Sequence, residues 1–388
     1  MTTRTAESTE LRRDLRGLVD RVCADFPDEY WRKLDKSSSY PEEFVDTLTA
    51  TGCLGALVPE KYGGLGLGLG DASVILEQIN RNGGNAGPVH AQLYTMGAVL
   101  RHGSEEQRRA HLPDIASGKT RLQAFAVTEP SAGSDTTNIR TFARREGDTY
   151  VINGQKVFTS RFQHSDLMLL LARTSARDES TKRSFGLSLF LIDLREVSGI
   201  TARPIDTMVN HETNEVFFDD VVVPASALVG KEGHGFSYVL TGMNAERILI
   251  AAECIGDGRW FVERARNYAC ERQVFGRPIG ANQGVQFPIA RAHVNVEAAD
   301  LMRWHACDLY EAAKDCGAEA NMAKLLAADA SWEAANAALQ THGGYGFAAE
   351  YDIERKFRET RLYQVAPIST NLILSHVGQH VLKMPRSF

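Results

Sequence analysis

A chain of 388 residues with 43% hydrophobic and 24% charged residues has the composition of an ordinary globular protein, and its length exceeds what one core fills, so two or three packed subdomains are expected. A net charge of -6 lacks the basic excess that neutralises phosphates on nucleic acid, which excludes that class of partner. Six cysteines, Cys23, Cys53, Cys254, Cys270, Cys307 and Cys316, lie far apart with no C-x-x-C pair and read as reduced thiols rather than as a zinc site or a disulfide framework.

In chain order, the first stretch, MTTRTAESTELRRDL, has acidic residues and no apolar centre, unlike a secretory leader or an organellar transit peptide. No segment approaches the ~20 apolar residues of a membrane span, so no membrane association and a cytoplasmic location are expected. From about residue 8 to 120 the pattern is helical, broken at Tyr40-Pro41 and by KYGGLGLGLG at 61-70. No buried strand precedes those glycines, so they fail the context of a dinucleotide fingerprint and read as a flexible loop that approaches another backbone. Short apolar runs follow: Tyr150-Val151-Ile152, then 166-174, 185-193 and 215-224. They predict strands separated by Asn-Gly, charged or Gly-containing turns. With no useful helix between them, the sheet should be mainly antiparallel, a barrel or sandwich. From Gly233 helical spacing returns, with Ile248, Ala251, Ala252 and Ile255 marking one face and Met322, Leu325 and Leu326 another. Asn244 is a plausible N-cap for the first of these helices. The fold class is α+β: an N-terminal helical domain at 1-120, a central antiparallel β domain at 121-230 and a C-terminal four-helix bundle at 231-388.

Four strings carry more than periodicity. TEPSAGSD at 128-135 follows Phe125-Ala126-Val127; YVINGQKVFTS lies at 150-160, ERQVFGRPIGANQ at 271-283 and LQTHGGYGF at 339-347. In the first, Pro130 and Gly133 impose a tight loop whose hydroxyls and amides suit a polar ring edge or phosphate. Together and in this order the strings resemble the acyl-CoA dehydrogenase family over nearly the whole chain. The resemblance implies FAD as cofactor, an acyl-CoA substrate, an electron-transfer flavoprotein or similar acceptor, and a homotetramer assembled as a dimer of dimers. It implies that Phe125, Val127, Thr128, Gly133, Ser134 and Ser369 line the flavin site. Ser134 would also touch substrate, and Phe158, Thr159 and Ser160 would cover one face of the ring, with Phe158 where tryptophan is commoner. Arg272, Phe275, Gln283, Gln340, Gly343 and Gly344 would reach the cofactor of a neighbouring subunit. Read singly, Arg272 and Gln283 are also solvated groups at helix ends, and Gly343-Gly344 a helix C-cap; His342 reads as a packing residue.

The chain departs from the family at YQVAPIST, 363-370. There the common family segment carries the catalytic glutamate, and this chain has Pro367, which offers neither a carboxylate nor an N-H. A minority of the family places the glutamate on the helix that opens the C-terminal domain, and Glu246-Arg247 in MNAERILIA matches that location. Glu246 is then the base and Arg247 a substrate contact. The competing account is local, because a carboxylate two residues after an N-cap favours the helix dipole whatever the protein does. The function expected is dehydrogenation of an acyl-CoA thioester; the alternatives are a flavin-dependent monooxygenase on the same fold and a catalytically silent flavin-binding protein.

Overall fold

The computed structural model describes residues 6-176 and 182-386; the first five residues of the MTTRTAESTELRRDL stretch lie outside the described residues. Six helices come first: α1 (Ala6–Ala24), α2 (Asp28–Ser37), α3 (Glu42–Ala50), α4 (Leu69–Arg81), α5 (Gly87–His102) and α6 (Glu105–Ala116). Eight strands follow: β1 (Leu122–Ala126), β2 (Phe142–Glu146), β3 (Thr149–Ser160), β4 (Leu167–Arg173), β5 (Leu187–Asp193), β6 (Ile200–Pro204), β7 (Thr213–Pro224) and β8 (Leu228–Val229). The rest is α7 (Gly235–Glu271), the small hairpin β9 (Gln273–Val274) and β10 (Arg277–Pro278), then α8 (Gln283–Glu311), α9 (Gly317–His342), α10 (Ile353–Arg361) and α11 (Thr370–His376). Among the described residues no helix is long and apolar enough to cross a membrane.

Contacts divide the chain into two compact units, 1-37 with 68-86 and 244-388, and 38-67 with 87-243. The second holds the eight-stranded sheet, in the order β6-β7-β3-β2-β4-β5-β8 with β1 against β4. Only β1–β4 and β2–β4 run parallel among the described pairings, in line with the expected antiparallel character. Its core gathers Tyr150, Ile152, Met168, Leu170, Phe190, Ile192, Val216 and Phe218. β4 and β5 are buried along nearly their full length, which is why they read as continuous apolar runs rather than alternating ones. Within this unit α6 opens with a capping box, Ser104 and Gln107 each closing on the other's backbone amide.

One expected turn resolves differently, and the glycine-rich loop behaves as expected. Asn153-Gly154 lies inside β3 rather than at its end. Gly154 has φ +149, and a Cβ there would meet Thr141 Cα at 2.7 Å, so the glycine serves a register shift and close strand contact. In the 61-70 stretch, a Cβ on Gly64 would meet the Val58 carbonyl oxygen at 2.2 Å, the predicted approach of one backbone to another. Gly64→Ala is therefore expected to lower stability by about 1–3 kcal/mol, visible as a lower thermal midpoint.

The first unit is helical. Ile248, Ala251, Ala252 and Ile255 are buried as expected. On α9 the expectation fails: Leu326 is 44% exposed, while Ala320, Ala323, Ala327, Ala328, Ala334, Ala335 and Ala338 are buried. Small residues let α8 and α9 approach closely, so the buried face runs through alanine rather than through the largest apolar side chains. Glu77 on α4 is fully buried and receives Arg16 at 3.2 Å, Arg259 at 2.5 Å and Arg303 at 3.0 Å. All six cysteines are free thiols, five buried and Cys270 exposed.

Candidate active site

In the sheet-bearing unit, β1 runs into the TEPSAGSD loop. The chain continues beside β3, with Thr128 O accepting the Val157 amide at 2.9 Å. Phe125 is half-buried with its ring 5.8 Å from that of Tyr94, while Gly133 and Ser134 are exposed. The loop is anchored from below by a pair that sequence reasoning passed over. Lys156 Nζ donates to Val127 O and to Glu129 Oε1, both at 2.9 Å; Glu129 also accepts the amides of Arg140 at 2.6 Å and Thr141 at 2.9 Å. Both side chains are buried. Burial pulls the Lys156 ammonium down to about 8. Burial also opposes ionisation of Glu129, but Lys156 and the two amides outweigh it and hold the carboxyl below its usual range. A lysine on a strand whose neighbours Tyr150 and Ile152 point into the core was the available signal.

Phe158 sits where β3 breaks register between Lys156 and Thr159. Its φ is +60 and its ring 62% exposed. An aromatic residue in the left-handed region is strained, and such strain is retained where surrounding structure enforces it, commonly at functional sites. Thr159 is buried and its hydroxyl has no hydrogen-bond partner among the described residues; Ser160 Oγ lies 3.1 Å from Thr213 Oγ1. Arg161, also at positive φ and buried, meets His211 Nδ1 at 3.0 Å and extends the strained corner. The structure thus sets Val127 and Thr128, which follow β1, against β3 just before the 158-160 segment.

The helical unit holds the remaining candidates. Arg272 follows α7 directly, Phe275 stands at the hairpin tip with φ +53 and full exposure, and Gln283 opens α8. Gln340, Gly343 and Gly344 are exposed at the end of α9, where Gly343 takes φ +58 as the C-cap. Ser369 caps α11 by accepting the Leu372 amide at 3.3 Å. His342 is buried, with Nδ1 2.8 Å from Ala338 O and its ring stacked 4.3 Å from Tyr268, the packing role expected of it.

Glu246 lies in the same unit. The helix that carries it begins at Gly235, not at Asn244; Asn244 is an interior residue whose Oδ1 accepts Arg247 Nη1 at 2.9 Å. The apolar spacing that starts at Ile248 marks the buried face, whereas the helix itself extends further towards its N-terminus. Glu246 is therefore about three turns in, and the dipole, which acts within the first turn, gives no reason for a carboxylate there. It is 6% exposed. Burial holds Arg247 below the usual arginine range, partly offset by Glu246 and Cys316. Pro367 is exposed in the Tyr363–Ile368 loop, which offers no carboxylate.

Residues 5-119, 124-221 and 233-382 match the acyl-CoA dehydrogenase N-terminal, middle and C-terminal domains respectively. The acyl-CoA dehydrogenase fadE12 of Mycobacterium bovis is 36% identical over 385 residues, 98% of each chain. The caffeyl-CoA reductase-Etf complex subunit CarC of Acetobacterium woodii is 30% identical over 357 residues, 90% of this chain and 93% of that one. The structure of butyryl-CoA dehydrogenase from Megasphaera elsdenii superposes with a TM-score of 0.90 at 28% identity, over 96% of this chain and 98% of that one. A helical, β, helical order with these matches along its length defines a flavoprotein oxidoreductase class. The chain belongs to the acyl-CoA dehydrogenase family.

Proposed function

We propose that the chain binds FAD and oxidises the Cα–Cβ bond of an acyl-CoA thioester, with Glu246 taking the α-proton. The observation that carries this reading is the buried carboxylate of Glu246 in the interior of α7 beside Arg247, in a chain whose C-terminal segment has Pro367 instead of a carboxylate. A carboxylate in that setting can accept a proton from a bound acyl group, and Arg247 supplies a cation one residue away.

The residues fit the cofactor. Phe158 offers an exposed ring for stacking, the Thr159 hydroxyl is a buried polar atom without a partner among the described residues, and the 127-134 loop is anchored on a buried ion pair. Bound flavin supplies the hydride acceptor for the β-carbon. Assembly as a homotetramer is supported by Phe287, Val294 and Leu301, exposed at seven-residue intervals along α8, and by exposed Phe275, which would reach a neighbouring subunit's cofactor along with Arg272, Gln283, Gln340, Gly343 and Gly344. An electron-transfer flavoprotein as acceptor is supported by the Etf-complex relative.

The test is anaerobic titration of the purified protein with short, branched, long and dicarboxylic acyl-CoAs while the oxidised flavin band is followed. Bleaching by one class is expected and identifies the substrate type. Bound FAD that none of them bleaches defeats the reading; oxygen consumption with a reductase would then indicate the monooxygenase, and its absence the silent protein.

A further inference from the structure

β3 ends and β7 begins at one corner, where Ser160 pairs with Thr213. Three residues other than glycine take the left-handed region there: Phe158 at φ +60, Arg161 at +57 and Glu212 at +42. Such strain persists where the surroundings enforce it, and polar contacts do so here. Asn214 Nδ2 donates to Thr159 O at 3.3 Å and to Glu212 O at 2.7 Å. The Arg161 amide donates to Glu212 O at 3.0 Å, and Arg161 O accepts the His164 amide at 3.2 Å and the Ser165 hydroxyl at 2.8 Å. The Arg161 side chain is buried. Its Nη2 lies 3.0 Å from His211 Nδ1; a guanidinium only donates, so Nδ1 accepts and the ring is neutral, in line with burial and the adjacent cation holding His211 well below its ordinary range. Glu212 Oε2 stands 3.8 Å from Nε, and neither atom has a hydrogen-bond partner among the described residues. Burial raises the Glu212 carboxyl, partly offset by Arg161. His164 stacks 4.2 Å from Tyr40, and neither ring adds negative charge at neutral pH, since burial pushes the Tyr40 hydroxyl up to about 12. The guanidinium is thus held on a neutral ring and on a carboxylate that does not close on it. A buried cation so loosely countered is costly, and its field extends further than that of a tight pair.

We propose that Arg161 tunes the cofactor: its buried positive charge, one residue from Ser160, makes bound flavin easier to reduce. This rests on the reading that Phe158, Thr159 and Ser160 face the flavin. Reduction places negative charge on the ring system, and a fixed cation nearby favours the charged form. Arg161 exchanges neither proton nor electron; it acts through its charge, and Glu212 opposes it.

The measurement is the midpoint potential of the bound flavin, read anaerobically against a reference dye, for Arg161→Met, Arg161→Lys and Glu212→Gln, with FAD content and melting followed in parallel. Arg161→Met is expected to weaken the reduction equilibrium about tenfold, about 30 mV for two electrons. Arg161→Lys keeps the charge and should stay near wild type. Glu212→Gln removes the opposing carboxylate and should shift the equilibrium the other way. A potential in Arg161→Met at or above the wild-type value overturns the proposal, whatever happens to melting. Equal lowering in the Met and Lys variants reports displacement of the segment rather than charge, and overturns it too. If Arg161→Met loses its FAD, Glu212→Gln decides: a potential at or below wild type defeats the idea. Wild-type protein that holds no FAD would instead remove the cofactor reading itself, a separate result.

Discussion

Glu246→Gln is expected to lower kcat by about 10²–10⁴-fold while FAD content and melting temperature stay near wild type. Glutamine keeps the volume and polarity of the side chain, so the packing around a residue only 6% exposed is preserved while the proton acceptor is lost. Stopped-flow reduction of the flavin by the best thioester from the titration isolates this step from reoxidation. Reduction at the wild-type rate would show that Glu246 takes no proton.

Lys156→Met should be the most damaging single change in the sheet. It leaves Glu129, 5% exposed, as a buried carboxylate facing only two amides, and breaking a buried pair from one side costs about 3–5 kcal/mol. The same change frees Val127 O, so the 127-134 loop should lose its anchor and the purified variant should retain less FAD. The pH dependence distinguishes this account from general loosening. Because the folded-state pKa of Glu129 lies below its ordinary value of 4.5, the group contributes stability above that value and loses it as pH falls through the folded pKa. Without Lys156 the depression shrinks, so urea unfolding of the variant should depend less on pH across the acid range. An unchanged slope would place the stabilisation elsewhere.

The strings that carried the family resemblance could be read because backbone geometry and polar contacts fix residue types there, as along 158-160. The strands β4 and β5 were legible because both faces are buried. β2 and β6 were not, since FARRE and ITARP are largely exposed and carry no apolar run. The start of α7 was misplaced for a related reason: GFSYVLTG contains two glycines and few strongly helical residues, and tertiary context carries the helix through them. The Lys156–Glu129 anchor and the three arginines on Glu77 join residues distant in sequence. No local pattern encodes such pairings, although a charge at a core-facing position hints that a partner exists.

The alanine seam of α9 bears on how this protein can be altered. A helix packed through methyl groups has nowhere to accept added volume, because each extra carbon must push a neighbouring helix aside. Substitutions that change acyl preference should therefore emerge outside that seam, and a mutant library aimed at new substrates gains by holding Ala320, Ala323, Ala327 and Ala334 constant.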